Sequence, residues 1–334
     1  MENFLAADLT EHYKPLTLET FKAEVPTDGQ VLVKMISAGL CGAQINEIDA
    51  VKGQDKYMPH FMGHEGFGVV TGVGDRVTKV KKGDYVVLHW RKGSGCDCFG
   101  AKYFSKLGIV GSGPVTTFAE QTIVSENRLT TVKYNKDLED LYPLMGCALS
   151  TSYGTIVKEA KVFQKSKVLI AGGGGLGLAL AFWLKVLGLN CEVDILEKNK
   201  DKTELLKKFD AKIITDLAKY DFVFETTGNV DVISKSFTSL DKGGKLILVG
   251  QPRVGQQLVL DNPLKIFDGV SIFSSDGGGF NPDLDLQTIV EYVENNIEIA
   301  KELITHRITL DEINTGFDLM RKGDAGRVIV KMEK

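Results

Sequence analysis

The stretch KVLIAGGGGLG, residues 167–177, decides how this chain is read. An apolar run, Lys167–Ala171, stops at four consecutive glycines, and an apolar segment of helical character follows. Gly172, Gly174 and Gly177 stand in G-x-G-x-x-G spacing, with Gly175 and Leu176 opening the helix. Between a strand and a helix, that spacing brings backbone N–H groups and a helix N-terminus against a pyrophosphate. Gly172 permits the tight turn, Gly174 the close approach of backbone to phosphate, and Gly177 the packing of helix on strand. Glu197 lies 20 residues beyond Gly177, after the next strand-like run. Its carboxylate accepts hydrogen bonds from a ribose 2′-OH and repels a 2′-phosphate, so NAD is expected ahead of NADP. Lys198 and Lys200 oppose that preference, and Lys202 is grouped with Glu197 as a cofactor-binding residue.

Outward from this motif, strands are predicted at 167–171, 192–196, 211–215, 221–226, 245–250 and 270–274. Helices are predicted between them at 176–187, 201–209 and 230–240. Such alternation means βαβ units and a doubly wound parallel sheet in an α/β fold. Two further helices, 286–302 and 310–322, and a strand, 327–332, complete the chain. Upstream, residues 138–160 read as helical. The first third reads as short strands at 30–38, 66–73, 85–90, 119–124 and 128–132, broken by turns such as Lys82-Gly83-Asp84. Strands at that spacing indicate a barrel or folded sheet.

Composition narrows the class. The 334 residues include 36 glycines and 8 prolines with no collagen period, and 43% are hydrophobic, which is globular composition. A formal net charge of −4 without a basic run excludes a general nucleic-acid binder. Residues 168–184 carry no charge, but the glycines inside them fit a buried strand, turn and helix better than a membrane span. The first 16 residues have no apolar core of a signal peptide. Five cysteines, an odd number, do not make a disulfide scaffold. The chain is expected to be cytoplasmic and reduced, with no membrane partner.

Cys41, His64 and Cys147 do not stand at zinc-finger spacing. Two thiolates and an imidazole nevertheless suit Zn²⁺, and three protein ligands leave one coordination position for chemistry. Taken singly, each also reads as an ordinary buried cysteine or structural histidine.

With these segments in view, the chain resembles the zinc-containing medium-chain dehydrogenases, the alcohol and polyol dehydrogenase family. The resemblance rests on AGLCGAQINE, MGHEGFGVV, VKKGDYVV, MGCALSTSYG, VLIAGGGGLG, VFETTGN, GGKLILVG and GFDLMRKGDAGRVIV, in family order. It implies a GroES-like β-rich catalytic domain over 1–148, a Rossmann NAD-binding domain over 149–287 and a return to the catalytic domain over 288–334. It implies one catalytic zinc on Cys41, His64 and Cys147, with Glu65 beside the metal and able to approach it. By the same match Arg327 contacts cofactor phosphate, Trp90 lines the substrate pocket, and the chain works as a homodimer or homotetramer.

Two departures from the family pattern stand out. Only Cys96 and Cys98 fall where the family commonly has four cysteines, so no structural zinc is expected. Where the family often has Ser or Thr and then Asp, this chain has Ala43 and Gln44. Ala43 cannot relay a proton, whereas Gln44 can accept a hydrogen bond from His64 through its amide oxygen. Asn46, Glu47, His60, His89 or water are the candidate proton routes. The implied reaction is hydride transfer between NAD(H) and an alcohol or carbonyl compound, with a polyol or sugar derivative as first choice. The alternatives are a zinc-free quinone or enoyl reductase of the same superfamily and an inactive NAD-binding protein.

Overall fold

The computed structural model describes residues 3–22, 24–106 and 108–332. The chain divides into two compact units: residues 1–147, 281–297 and 304–334, and residues 148–280 and 298–303.

The first unit is β-rich. Its larger sheet runs in the order Leu129–Thr131, Tyr85–Leu88, Gly66–Val73, Gln30–Leu40, Arg327–Lys331, Ile304–Thr309, with Gln121–Ser125 also paired to Gln30–Leu40. Apolar residues alternate toward one interior that holds Val31, Val33, Met35, Leu88, Val124, Val328 and Val330. A second sheet, Thr17–Lys22, Asn3–Leu9, His60–Phe61, Gly108–Gly111, Lys102–Ser105, encloses Phe4, Phe21, Phe61 and Tyr103. The rings of Phe61 and Tyr103 stack with centroids 4.8 Å apart.

The second unit carries a six-stranded parallel sheet in the order Ala211–Ile214, Glu192–Leu196, Lys167–Ala171, Tyr220–Glu225, Leu240–Leu248, Ser271–Ser274. In chain order this is 3-2-1-4-5-6, the doubly wound arrangement expected from the alternating pattern. The first sheet strand ends at the glycine run, and the helix Gly175–Val186 starts directly after it. That helix is buried along most of its length, and Trp183 donates its indole N–H to the carbonyl of Leu149 at 2.8 Å. Among the described residues no helix is long and apolar enough to cross a membrane.

The long helix expected over 138–160 is instead a succession of short pieces: Tyr142–Met145, Ala148–Gly154 and a π-helical turn, Thr155–Ala160. The hairpin Asn3–Leu9 with Thr17–Lys22, the pair Lys102–Ser105 with Gly108–Gly111, and the strand Ile304–Thr309 were not read from the sequence.

Candidate functional site

Three separate segments bring Cys41, His64 and Cys147 together. The strand Gln30–Leu40 delivers Cys41, which is the N-cap of the helix Gly42–Ile48. His64 follows the strand His60–Phe61 through Gly63, whose φ of 95° lies in the region open to glycine. Cys147 follows Gly146, where an added Cβ would strike the carbonyl oxygen of Leu88. Glycine at 146 thus lets Cys147 come up against the strand Tyr85–Leu88. The two sulfurs and an imidazole nitrogen all lie within 4.8 Å of one another, with His64 Nε2 3.2 Å from Cys147 Sγ. A hydrogen bond from Cys147, with further help from His64, holds the Cys41 thiol well below the usual thiol range. The same bond, together with burial, pushes Cys147 up.

Gln44 braces this group in a way the sequence did not show. Its amide oxygen accepts the backbone N–H of Cys41 at 2.8 Å, and its amide nitrogen faces His64 Nδ1. The oxygen was expected on His64; the start of the helix at Cys41 takes it instead, because that N–H would otherwise lack a partner.

Glu65 is fully buried but its carboxylate is turned to Arg327, which is 3% exposed, rather than standing among the three donors. Gly39 makes room for it, since a Cβ there would lie 2.7 Å from Glu65 Oε1. The guanidinium expected to meet cofactor phosphate pairs with Glu65 through one terminal nitrogen, while its Nε has no partner among the described residues.

Of the other candidates, His89 is fully buried, hydrogen-bonded to the Arg91 carbonyl and the Thr130 hydroxyl. Burial pushes its pKa down to about 4, so it stays neutral and fixed in place. Trp90 is half-buried with the Arg91 guanidinium 5.4 Å from its ring centroid. Glu47 and His60 come together, joined by Asp55, a residue no sequence motif marks. Cys96 and Cys98 are free thiols, the latter bonded to the Gly29 carbonyl at 3.1 Å.

In the second unit the glycine loop has the geometry its spacing predicted. Gly172 has φ of 103°, Gly174 has open space where a side chain would stand, and a Cβ on Gly177 would collide with the Gly172 carbonyl. Glu197 accepts the Gly173 N–H at 2.9 Å, and Lys202 Nζ donates to the Gly173 carbonyl at 3.2 Å. Glu197, expected beside a ribose, and Lys202, expected to bind cofactor, are thus both at the loop.

Residues 27–134 match the alcohol dehydrogenase GroES-like domain and residues 175–295 match the zinc-binding dehydrogenase domain, together more than half of the chain. The chain belongs to the zinc-containing medium-chain dehydrogenase family. This dehydrogenase is 29% identical to alcohol dehydrogenase class-3 of Drosophila melanogaster, over 98% of this chain and 97% of that one. It shares its fold with benzyl alcohol dehydrogenase from Acinetobacter calcoaceticus, with a TM-score of 0.85, 24% identity and full coverage of both chains. An alcohol dehydrogenase zinc-binding domain protein from Burkholderia ambifaria superposes with a TM-score of 0.88 at 20% identity, again over both whole chains. The dehydrogenase is an oxidoreductase, built of a GroES-like unit and a Rossmann unit.

Proposed function

We propose that this dehydrogenase transfers a hydride reversibly between NAD(H) and an alcohol or its carbonyl counterpart, with one catalytic zinc held by Cys41, His64 and Cys147. The convergence of two thiols and an imidazole from positions 23 and 83 residues apart carries the reading. That donor set is the chemistry zinc takes, and three donors leave one position for an alcohol oxygen. When bound, zinc lowers the pKa of that hydroxyl, and the nicotinamide carries the redox chemistry. Residues 1–148 and 288–334 serve as the catalytic domain and 149–287 as the cofactor domain.

The chain's own residues position and charge these groups. Cys41 is the thiol that gives up its proton more easily, and Gln44 fixes both its backbone and the His64 ring. Glu65 and Arg327 form a buried ion pair whose charges act on the Cys41 and Cys147 thiols. Glu197 takes the ribose hydroxyls, with Lys202 beside it on the glycine loop as a further cofactor-binding residue, and the acid favours NAD over NADP. Ala43 offers no hydroxyl, so the substrate proton takes another route, through Asn46, Glu47, His60, His89 or water. Relatives named alcohol dehydrogenases support an alcohol substrate. The Trp90 ring with Arg91 beside it favours a polyol or sugar derivative as the finer choice.

The free thiols suit a reducing cytoplasm. A homodimer or homotetramer is supported by the edge strand Ser271–Ser274 and by exposed Val254, Val259, Leu264 and Phe267, the last 86% exposed. The deciding experiment loads purified protein with zinc and follows NADH formation across alcohols, polyols and sugars. Cys147→Ser should lose bound zinc and drop turnover by roughly a hundredfold or more. Full activity with full metal content in that variant would overturn the ligand assignment, and tighter binding of NADP than of NAD would overturn the role of Glu197.

A further inference from the structure

A second set of donors converges apart from the first. Ligand atoms of Glu47, Asp55 and His60 all lie within 4.8 Å of one another. They come from the helix Gly42–Ile48, the loop after it and the start of the strand His60–Phe61. His60 Nε2 is 2.9 Å from Asp55 Oδ2 and 3.7 Å from Glu47 Oε1.

The surroundings of each donor fix what it can offer. His60 Nδ1 lies 2.8 Å from the carbonyl oxygen of Phe61, which only accepts, so Nδ1 carries a proton. In the neutral ring Nε2 then presents a lone pair, and it presents it to two carboxylate oxygens. Asp55 is oriented from two sides: its Oδ1 accepts the Tyr57 N–H at 2.7 Å, and its own N–H donates to His12 Nε2 at 2.9 Å. Its Oδ2 is left pointing at His60. Three electron-rich atoms at such spacing repel one another unless a positive charge stands between them. Among the described residues no lysine or arginine forms an ion pair with Glu47 or Asp55. Ligands held at about 2.0–2.2 Å around a tetrahedral metal stand about 3.3–3.6 Å from each other, a range the two observed separations bracket. An imidazole tied at its far nitrogen to a carbonyl, beside carboxylates with their own hydrogen bonds, is the arrangement that orients metal ligands.

We propose that Glu47, Asp55 and His60 bind a second divalent cation, zinc, separate from the Cys41–His64–Cys147 site. The imidazole donor sets zinc above calcium or magnesium, which take oxygen ligands. The site's place in the chain gives it a purpose. It ties the helix that begins at Cys41 to the strand that leads into His64, so the cation fastens both arms that carry the first two donors of the other site.

The test is metal stoichiometry on the full chain, stripped with a chelator and titrated with zinc. Wild type should take up two zinc ions, His60→Ala one, and the Cys41→Ser, Cys147→Ser double variant one. Cobalt(II) separates the sites, because only the cysteine site gives thiolate charge-transfer absorption. His60→Ala should keep that absorption while losing one equivalent of cobalt. Glu47→Gln, a milder change, should weaken the second zinc at least ~10-fold and leave the first unchanged. Loss of zinc from the cysteine variant alone, with wild type binding a single ion, would overturn this proposal and leave the catalytic reading standing. Two ions retained by His60→Ala would overturn it as well. So would a doubly protonated His60 ring, seen by NMR at neutral pH in zinc-saturated protein, since a proton would then be the bridging charge. If instead the cysteine variant keeps every ion that wild type holds and only His60→Ala loses one, the catalytic assignment fails and the second site stands.

Discussion

Gly177 has no space for even one methyl group, because a Cβ there meets the carbonyl of Gly172. Gly177→Ala is expected to push the helix off the loop and weaken NAD binding at least ~10-fold, read by nucleotide fluorescence titration, while the fold persists by circular dichroism. Arg327 makes a different case. Its partner Glu65 is fully buried, so Arg327→Met strands a carboxylate in the interior and should cost about 3–5 kcal/mol in denaturant unfolding. The double variant with Glu65→Gln should recover much of that loss. The glycines were legible because turn and packing chemistry is local in sequence. The pair Glu65–Arg327 was not, because the partners stand 262 residues apart and nothing in either segment announces the other. The three zinc-type donors share that distance problem: only their resemblance to a known pattern united them in the sequence, and the structure brings the side chains to one point.

At the level of elements, the strands around the cofactor loop were legible to within a residue or two. Lys167–Ala171 is an apolar run buried from Val168 on, Glu192–Leu196 buries Val193 and Ile195 in alternation, and the two pair as parallel neighbours. Segment 138–160 misled, since Pro143, Gly146 and Gly154 interrupt a sequence otherwise rich in helix formers. Glycine at 154 admits the backbone of Gly278, and at 146 that of Leu88, so packing sets the breaks. Asn3–Leu9 carries no strand signal in its sequence because its alanines and Asp8 are weak strand formers; pairing on both edges overrides that weakness. The helix Val230–Thr238 is started by Asn229, whose side-chain oxygen accepts the N–H groups of Asp231 and Val232. Asn229→Ala should therefore lower stability by about 1 kcal/mol, measured by the shift in denaturant midpoint at unchanged slope.

The response of the whole chain to pH should carry the mark of Asp8. This carboxyl is fully buried, and among the described residues neither oxygen has a hydrogen-bond partner. Burial, helped by the nearby charge of Glu19, raises its pKa from 3.8 to about 7. The folded chain then keeps a proton that the unfolded chain has already released between about pH 4 and pH 7. Stability from this group is complete at the acid end and falls as pH rises through that window. Asp8→Asn should flatten the slope and raise the melting temperature at pH 8 more than at pH 5, as read by thermal scans. The layout of the larger sheet bears on synthesis too. Arg327–Lys331 lies between Gln30–Leu40 and Ile304–Thr309, so an early strand pairs with one made roughly 290 residues later. At ordinary ribosomal speeds the Ser37–Leu40 end of the strand that delivers Cys41 waits roughly 15–60 s with that edge unpaired, whereas Gln121–Ser125 covers residues 30–34 much sooner. During that interval the nascent chain exposes an apolar edge, and a chaperone has its best opportunity to act.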